Sequence, residues 1–332
     1  MSIKKRIEQQ YRTDLQGAQI SATPPIPRNM MVELSNACNH ACAFCPNPHM
    51  TRRKGLIRNP LMYRIIDEAA AAGVDEIGFY TTGDPFIHKD LAAFVRHAKQ
   101  AGMSYTYIST NGALATPERA KAVIDAGMDS IKFSINAGSR ETYKLIHDRD
   151  DFDEVMENLR FISAYRREAR PDMKLYVTCV VTKPMAHEVE SLRVALTPLV
   201  DEMTFVECTP LAWPDHKWTS GRKDACPMPF NRLHVTCEGY LTLCCVDFQN
   251  YLAVADLNTH SLLEAWNAPT FVEMRQRHIE GRLSGTLCGR CWLGDRTKVQ
   301  PIVAAYADPL DHEEYEEAQL ERVLDELRVD QV

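Results

Sequence analysis

From Met30 onward, two hydrophobic periods alternate along the chain. Short apolar runs with strand character are each followed by a stretch in which apolar residues recur every three or four positions, the spacing of one buried helix face. The runs predict strands at Met30–Leu34, Glu76–Thr81, Ser104–Ser109, Ser130–Ile135, Lys174–Val181 and Glu202–Glu207. The intervening spacing predicts helices at Pro60–Ala72, Lys89–Ala101, Pro117–Ala126, from Arg140 through Arg167, and at His187–Leu196. Six strands with helical crossovers build a parallel α/β sheet, doubly wound or curled as a barrel, with functional loops at the C-terminal strand ends. Before this series, Ile3–Gln16 is amphipathic and Thr23–Pro27 is a proline-rich break. After about Ala212 the period dissolves into Pro-, Gly- and Cys-rich text with one helical stretch, Ser261–Arg277, and Asp311–Leu327 closes the chain as an acidic amphipathic helix. The expected units are an N-terminal helical extension (1–29), a core barrel (30–211), a small Cys-rich domain (212–300) and a C-terminal acidic helix (301–332).

Charge narrows the partners. The 332 residues carry a net charge of −7 and no basic stretch, which argues against nucleic acid. No apolar run approaches the roughly 20 residues a bilayer span requires. The N-terminus is polar rather than signal-like, so no membrane partner and a cytoplasmic location are expected. Eleven cysteines in such a chain point to metal or catalysis, because cytosolic thiols stay reduced. They are grouped: Cys38, Cys42 and Cys45 early, then Cys226, Cys237, Cys244, Cys245, Cys288 and Cys291, with Cys179 and Cys208 between.

The early group reads C-N-H-A-C-A-F-C, directly after the first strand. Three thiolates leave one iron of a 4Fe-4S cluster without a protein ligand, open to a substrate or cofactor. A structural zinc site would need a fourth ligand, for which His40 and His49 are the neighbours. With Phe44 before the last cysteine, the loop resembles the signature of the radical S-adenosylmethionine (SAM) superfamily. The resemblance spans roughly Met30 to Glu207 and implies a partial (β/α)6 barrel whose open iron is chelated by SAM. It also implies reductive cleavage of SAM to methionine and a 5'-deoxyadenosyl radical, driven by a reducing partner such as flavodoxin or ferredoxin. T-G-D-P, formed by Thr82, Gly83, Asp84 and Pro85, resembles the family's Gly-Gly-Glu-Pro segment, whose backbone receives the SAM amino group. Ser109 and Asn111 in S-T-N-G, and Ser134 and Asn136 in F-S-I-N-A-G, stand where the family binds the SAM ribose and carboxylate. Arg52 and Lys54 either steady the cluster or SAM, or are solvated charges.

Among the late cysteines, Cys226, Cys244, Cys288 and Cys291 make two separated pairs that suit a closed cluster or a tetrahedral zinc. The arrangement resembles the SPASM and twitch extensions of radical SAM enzymes. With no cysteine after Cys291, the nearer form is the twitch domain with one auxiliary 4Fe-4S cluster, as in 2-deoxy-scyllo-inosamine dehydrogenase-like enzymes. Cys237 is the rival ligand, while Cys179 and Cys208 read as buried structural thiols. The expected reaction is a two-electron oxidation of a small polar substrate, sugar- or aminocyclitol-like. The auxiliary cluster would accept the electron, and Asp247 or Glu207 the proton. Cys245 adjoins a ligand but points to the opposite face. As a hydrogen-atom donor it would make the enzyme an epimerase. SPASM enzymes also mature peptides, but about 29 residues before the first strand are too few for a recognition module of roughly small-domain size. A non-catalytic iron-sulfur or zinc protein is the alternative of another class, against which the missing fourth ligand of the early loop argues.

Overall fold

The computed structural model describes residues 20–208 and 225–307; Ile3–Gln16 and Asp311–Leu327 lie outside them. The six expected strands are present as β1 (Asn29–Val32), β2 (Glu76–Gly78), β3 (Tyr105–Thr110), β4 (Ser130–Ser134), β5 (Lys174–Val181) and β6 (Glu202–Glu207). All neighbouring pairs among them are parallel. Their crossovers carry α1 (Asn59–Ala71), α2 (Leu91–Gln100), α3 (Pro117–Asp125), α4 (Arg140–His147), α5 (Phe152–Ala169) and α6 (Val189–Leu196). Pro60 sits in the first turn of α1 and Pro117 in that of α3, where the missing N–H would have had no helical partner.

One expected run of helices resolves into its members, and one expected helix is broken. The stretch from Arg140 to Arg167 divides into α4 and α5 because Asp148 turns left-handed at φ 52° and ends the first helix. The stretch Ser261–Arg277 divides into α8 (Leu262–Trp266), opened by a Ser261–Glu264 capping box, and α9 (Pro269–Glu280). Pro269 can begin a helix but cannot continue one.

The cysteine-rich region does not stand apart from the sheet. After the short helix α7 (Met228–Asn231), β7 (Leu233–Val235) pairs in parallel with β1, and β8 (Tyr240–Thr242) and β9 (Ala253–Asp256) follow antiparallel. The result is one nine-stranded sheet in the order β6-β5-β4-β3-β2-β1-β7-β8-β9. The open side of β1 is thereby paired rather than left as an exposed edge. A last helix, α10 (Leu287–Leu293), carries the C-x2-C pair.

Strand alternation separates two faces. Met30, Val32, Ile77, Ile108, Ile131, Phe133, Val177, Leu233 and Val235 are buried in the hydrophobic core. Register puts His234, Met31, Gly78 and Tyr107 in one row of the other face, then Ser109, Lys132 and Tyr176, then Ser134 and Thr178. This second face is polar and lines the lumen enclosed by the sheet. Among the described residues no helix is long and apolar enough to cross a membrane.

Candidate active site

The early cysteine loop leaves the end of β1 and is pinned from several sides. Lys54 Nζ donates to Asn47 O at 3.0 Å and to Asn36 O at 3.3 Å, and Asn36 Oδ1 accepts Gly55 N–H at 2.7 Å. Lys54 therefore holds the loop, within electrostatic reach of Cys38 and Cys45. Cys38, Cys42 and Cys45 act on one another's titration: burial first, and then neighbouring thiols, push Cys42 well up and Cys45 to about 11. Burial likewise raises Cys38. Three crowded, half-buried cysteines of this kind suit a cationic iron centre, which takes them as thiolates.

The T-G-D-P turn docks on that loop. Asp84 N–H donates to Ala37 O at 3.0 Å, and Asn47 Nδ2 donates to Thr82 O at 2.7 Å. A Cβ on Gly83 would overlap the carbonyl oxygens of Ser35 and Ala37, so this close backbone approach requires glycine. The Asp84 carboxylate is fully committed: it accepts from Thr110 Oγ1 at 2.8 Å, Asn111 N at 2.9 Å and, at its other oxygen, Phe86 N at 2.9 Å. It ties the second strand-end loop to the third, and Pro85 opens the turn that follows.

The other strand-end candidates divide. Ser109 and Ser134 face each other across the lumen wall, Oγ to Oγ 3.5 Å. Asn111 Nδ2 lies 3.7 Å from Cys38 Sγ and donates to Asn39 Oδ1 at 2.8 Å. Asn136 is a correction. Its Oδ1 accepts Val180 N–H at 2.8 Å and its Nδ2 lies 3.2 Å from His147 Nε2, so the amide clamps β4 to β5 and α4 instead of reaching for SAM. Arg52 neither steadies a cluster nor is solvated. Its guanidinium is buried between Glu33 and Glu238, both at 2.6 Å, and joins the end of β1 to the turn after β7.

A histidine pair behind the cysteine loop left no motif in the sequence. His147 Nε2 accepts the Asn136 backbone N–H at 3.2 Å, which places its proton on Nδ1, 3.2 Å from His40 Nδ1 and 3.6 Å from Cys42 Sγ. His40 Nε2 in turn meets Asp151 Oδ2 at 3.1 Å. Burial, with His40 beside it, lowers His147 to about 3 and keeps it neutral. His40 is thus engaged on both nitrogens, and His49 is an exposed imidazole at the end of the cysteine loop's helical turn.

Of the late cysteines, Cys226, Cys244, Cys288 and Cys291 line a single cavity with Met228, Leu243 and other apolar side chains. Burial raises the Cys288 thiol strongly, with Cys226 and Cys291 adding to it, again the signature of sulfurs gathered for a cation. Cys237 does not line this cavity. It is buried beside the Arg52 guanidinium, Nη2 to Sγ 3.8 Å, and its N–H donates to Glu33 at 3.0 Å. His278 also lines the cavity, buried, with neither ring nitrogen hydrogen-bonded among the described residues. It sits among ordinary helical residues of α9, which is why spacing did not reveal it.

Both proton-acceptor candidates are corrected. Asp247 accepts Tyr251 N–H at 3.0 Å, Leu252 N–H at 2.6 Å and Thr242 Oγ1 at 3.2 Å, so its carboxylate organises its own turn. Glu207 pairs in register with Val181, one position off the Thr178–Val180 face that shares the lumen, so it points away from it. Cys245 is not among the residues that line the four-cysteine cavity; it lies against Cys244 and near His234, Arg232 and Lys132. A hydrogen bond from Cys244, with His234 and Arg232 adding, holds its thiol low. His234 is fully buried beside the Cys245 thiol, which its imidazole helps to hold low.

Comparison with known proteins follows the same division of the chain. The Radical SAM superfamily model matches residues 32–183, and the SPASM iron-sulfur cluster-binding domain model matches 226–292. A "Probable GTP 3',8-cyclase" of Saccharolobus solfataricus is 33% identical over 135 residues, 40% of this chain and 42% of that protein. A "PqqA peptide cyclase" of Rhodopseudomonas palustris is 34% identical over 124 residues, 37% of this chain and 32% of that protein. The chain therefore spans less than half the length of these relatives. Among solved structures, BtrN in complex with AdoMet and 2-DOIA superposes with a TM-score of 0.53 at 18% identity, covering 84% of this chain and 98% of that one. AnSMEcpe with AdoMet and the Kp18Cys peptide gives a TM-score of 0.61 at 12% identity, covering 91% and 96%. At these identities the likeness is one of fold.

Proposed function

The chain belongs to the radical SAM superfamily with a C-terminal SPASM iron-sulfur domain, and from this premise we propose that it oxidises a small polar substrate by two electrons. The domain division that goes with this reading is a core barrel of residues 30–211 and an auxiliary-cluster domain of 212–300. When bound, the cofactors supply an electron that cleaves SAM to methionine and a 5'-deoxyadenosyl radical, and a second cluster that accepts an electron from the substrate.

Cys38, Cys42 and Cys45 would hold the SAM-binding cluster, and Cys226, Cys244, Cys288 and Cys291 the auxiliary one. The T-G-D-P backbone and the hydroxyls of Ser109 and Ser134 would orient SAM at the strand ends. With Asp247 and Glu207 removed from the role, the buried His234, beside the Cys245 thiol, is the proton acceptor of this reading. The observation that carries the reading is the four-cysteine cavity on the sheet that also bears the cysteine loop, a route for the second electron. BtrN, whose structure holds AdoMet and 2-DOIA, is of comparable size.

A second reading rests on Cys245. Its thiol lies within electrostatic reach of Lys132 on the inner face of β4, and a hydrogen atom delivered from it to the far side of the substrate carbon would give epimerisation, with an external electron and proton restoring the thiol. Anaerobically reconstituted enzyme is expected to hold about eight irons per chain and to release 5'-deoxyadenosine only with reductant. Zinc in place of iron, or intact clusters without SAM cleavage, would overturn both readings. Cys245→Ala decides between them: a dehydrogenase continues to turn over, whereas an epimerase stalls or releases an oxidised by-product.

A further inference from the structure

Besides its cysteines and Trp292, the cavity that gathers Cys226, Cys244, Cys288 and Cys291 is lined by a single polar side chain, His278. It extends from the last turn of α9 and is 1% exposed. Neither Nδ1 nor Nε2 has a hydrogen-bond partner among the described residues. Aromatic neighbours fix the ring: Trp292 lies nearly parallel to it, centroids 6.1 Å apart at 14°, and Phe230 nearly perpendicular, 6.3 Å away at 82°. The Trp292 indole is a donor only and Phe230 is apolar, so neither ring completes the hydrogen bonding of the imidazole. A buried nitrogen without a partner is costly, and native structures keep few of them. The acceptors at hand are sulfurs, because the rest of the lining is apolar.

We infer that His278 donates a hydrogen bond to a sulfur of the auxiliary cluster, a bridging sulfide or a coordinating thiolate, and so raises the potential at which that cluster accepts an electron. The inference rests on the radical SAM reading with an auxiliary cluster and deepens it. Histidine carries at least one N–H in either protonation state, so the donor does not depend on pH. Four cysteines suffice for the cluster, which leaves His278 to act on sulfur rather than on iron. Reduction adds negative charge to a cluster enclosed by apolar walls, where that charge is poorly solvated. An N–H directed at sulfur stabilises the reduced form more than the oxidised one, and the potential rises. That direction suits a cluster that takes the substrate's second electron; a merely structural cluster has no use for it.

The test is a redox titration of the reconstituted holoenzyme followed by electron paramagnetic resonance, with and without SAM. SAM perturbs the cluster it binds, so the signal it leaves unchanged belongs to the auxiliary cluster. His278→Phe keeps an aromatic ring against Trp292 and removes the donor. Its auxiliary cluster is expected to be at least tenfold harder to reduce, a shift of about 59 mV to more negative potential for a one-electron couple. Iron should stay at about eight per chain. His278→Gln returns an N–H and is expected to recover part of the shift. In wild type carrying nitrogen-15 histidine, pulsed resonance on the auxiliary signal is expected to show a weak nitrogen coupling. That measurement decides the matter where His278→Phe fails to fold or to take up iron.

An unchanged potential in iron-replete His278→Phe, or no nitrogen coupling in wild type, would overturn the inference and leave the imidazole as packing. A coupling as strong as direct iron–nitrogen bonding would overturn it too, by making His278 a ligand. Iron content and reductant-dependent 5'-deoxyadenosine release from the wild-type enzyme are measured in parallel. With both clusters present and SAM cleaved, a negative result sinks this inference alone. About four irons per chain, or no SAM cleavage, would instead sink the reading on which it rests.

Discussion

His147 Nδ1 lies 3.6 Å from Cys42 Sγ and 3.2 Å from His40 Nδ1, and the Asn136 amide, closing the other ring nitrogen at 3.2 Å, fixes it as a donor shared between the two. The imidazole is stacked on Tyr143, ring centroids 4.0 Å apart, so its direction is set by packing as well. A neutral donor to a cluster thiolate withdraws charge from sulfur and favours the reduced cluster. His147→Phe keeps the stack and removes the donor. The SAM-binding cluster is then expected to titrate at a more negative potential, followed by electron paramagnetic resonance, with iron content unchanged. An unshifted potential would show that His147 serves packing alone.

The Arg52–Glu33–Glu238 network links the cysteine loop to the turn after β7. Removing the guanidinium leaves Glu33 buried and uncompensated, so Arg52→Leu is expected to cost about 3–5 kcal/mol in urea unfolding.

The same network sets an acid limit. Burial pushes Glu33 up, but Arg52, Thr82 and the Cys237 amide outweigh it and hold the carboxyl below its ordinary range. A carboxylate depressed by folding contributes stability above its unfolded pKa and loses it as pH falls through the lower folded value. Melting temperature is therefore expected to fall more steeply in wild type than in Glu33→Gln as pH drops from neutral into the carboxylate range. Parallel curves would contradict this.

Gly83→Ala places a methyl group against the Ser35 and Ala37 carbonyls, which are backbone and cannot swing aside. The expected cost is about 1–3 kcal/mol, with the cysteine loop pushed off the T-G-D-P turn. Iron content after reconstitution reads the outcome, and loss of the early cluster with retention of the auxiliary one is the expected pattern.

Cys237→Ser is expected to keep both clusters, because that thiol belongs to the Arg52 network. Cys226→Ser should lower iron from about eight to about four per chain. Equal losses in the two variants would place Cys237 among the ligands.

The alternating hydrophobic period made the six parallel strands legible, and local spacing made both cysteine groups legible, since a loop that wraps a cluster needs its ligands a few residues apart. The same local logic did not carry to Cys245, which with Cys244 opens a turn in which the two thiols hydrogen-bond. It failed for Asp247 and Asn136, whose side chains are consumed by amides of neighbouring segments, and for Glu207, whose face depends on register with β5. It could not see His147, His234 or His278 as members of a site, because none stands in a motif. What the tertiary structure decided is the content of the lumen. Parallel pairing brings residues as distant as Lys132 and His234 onto one face, with Arg232 and Cys245 near them, and a side chain's chemistry there depends on the groups that face it across the sheet rather than on those beside it in the chain.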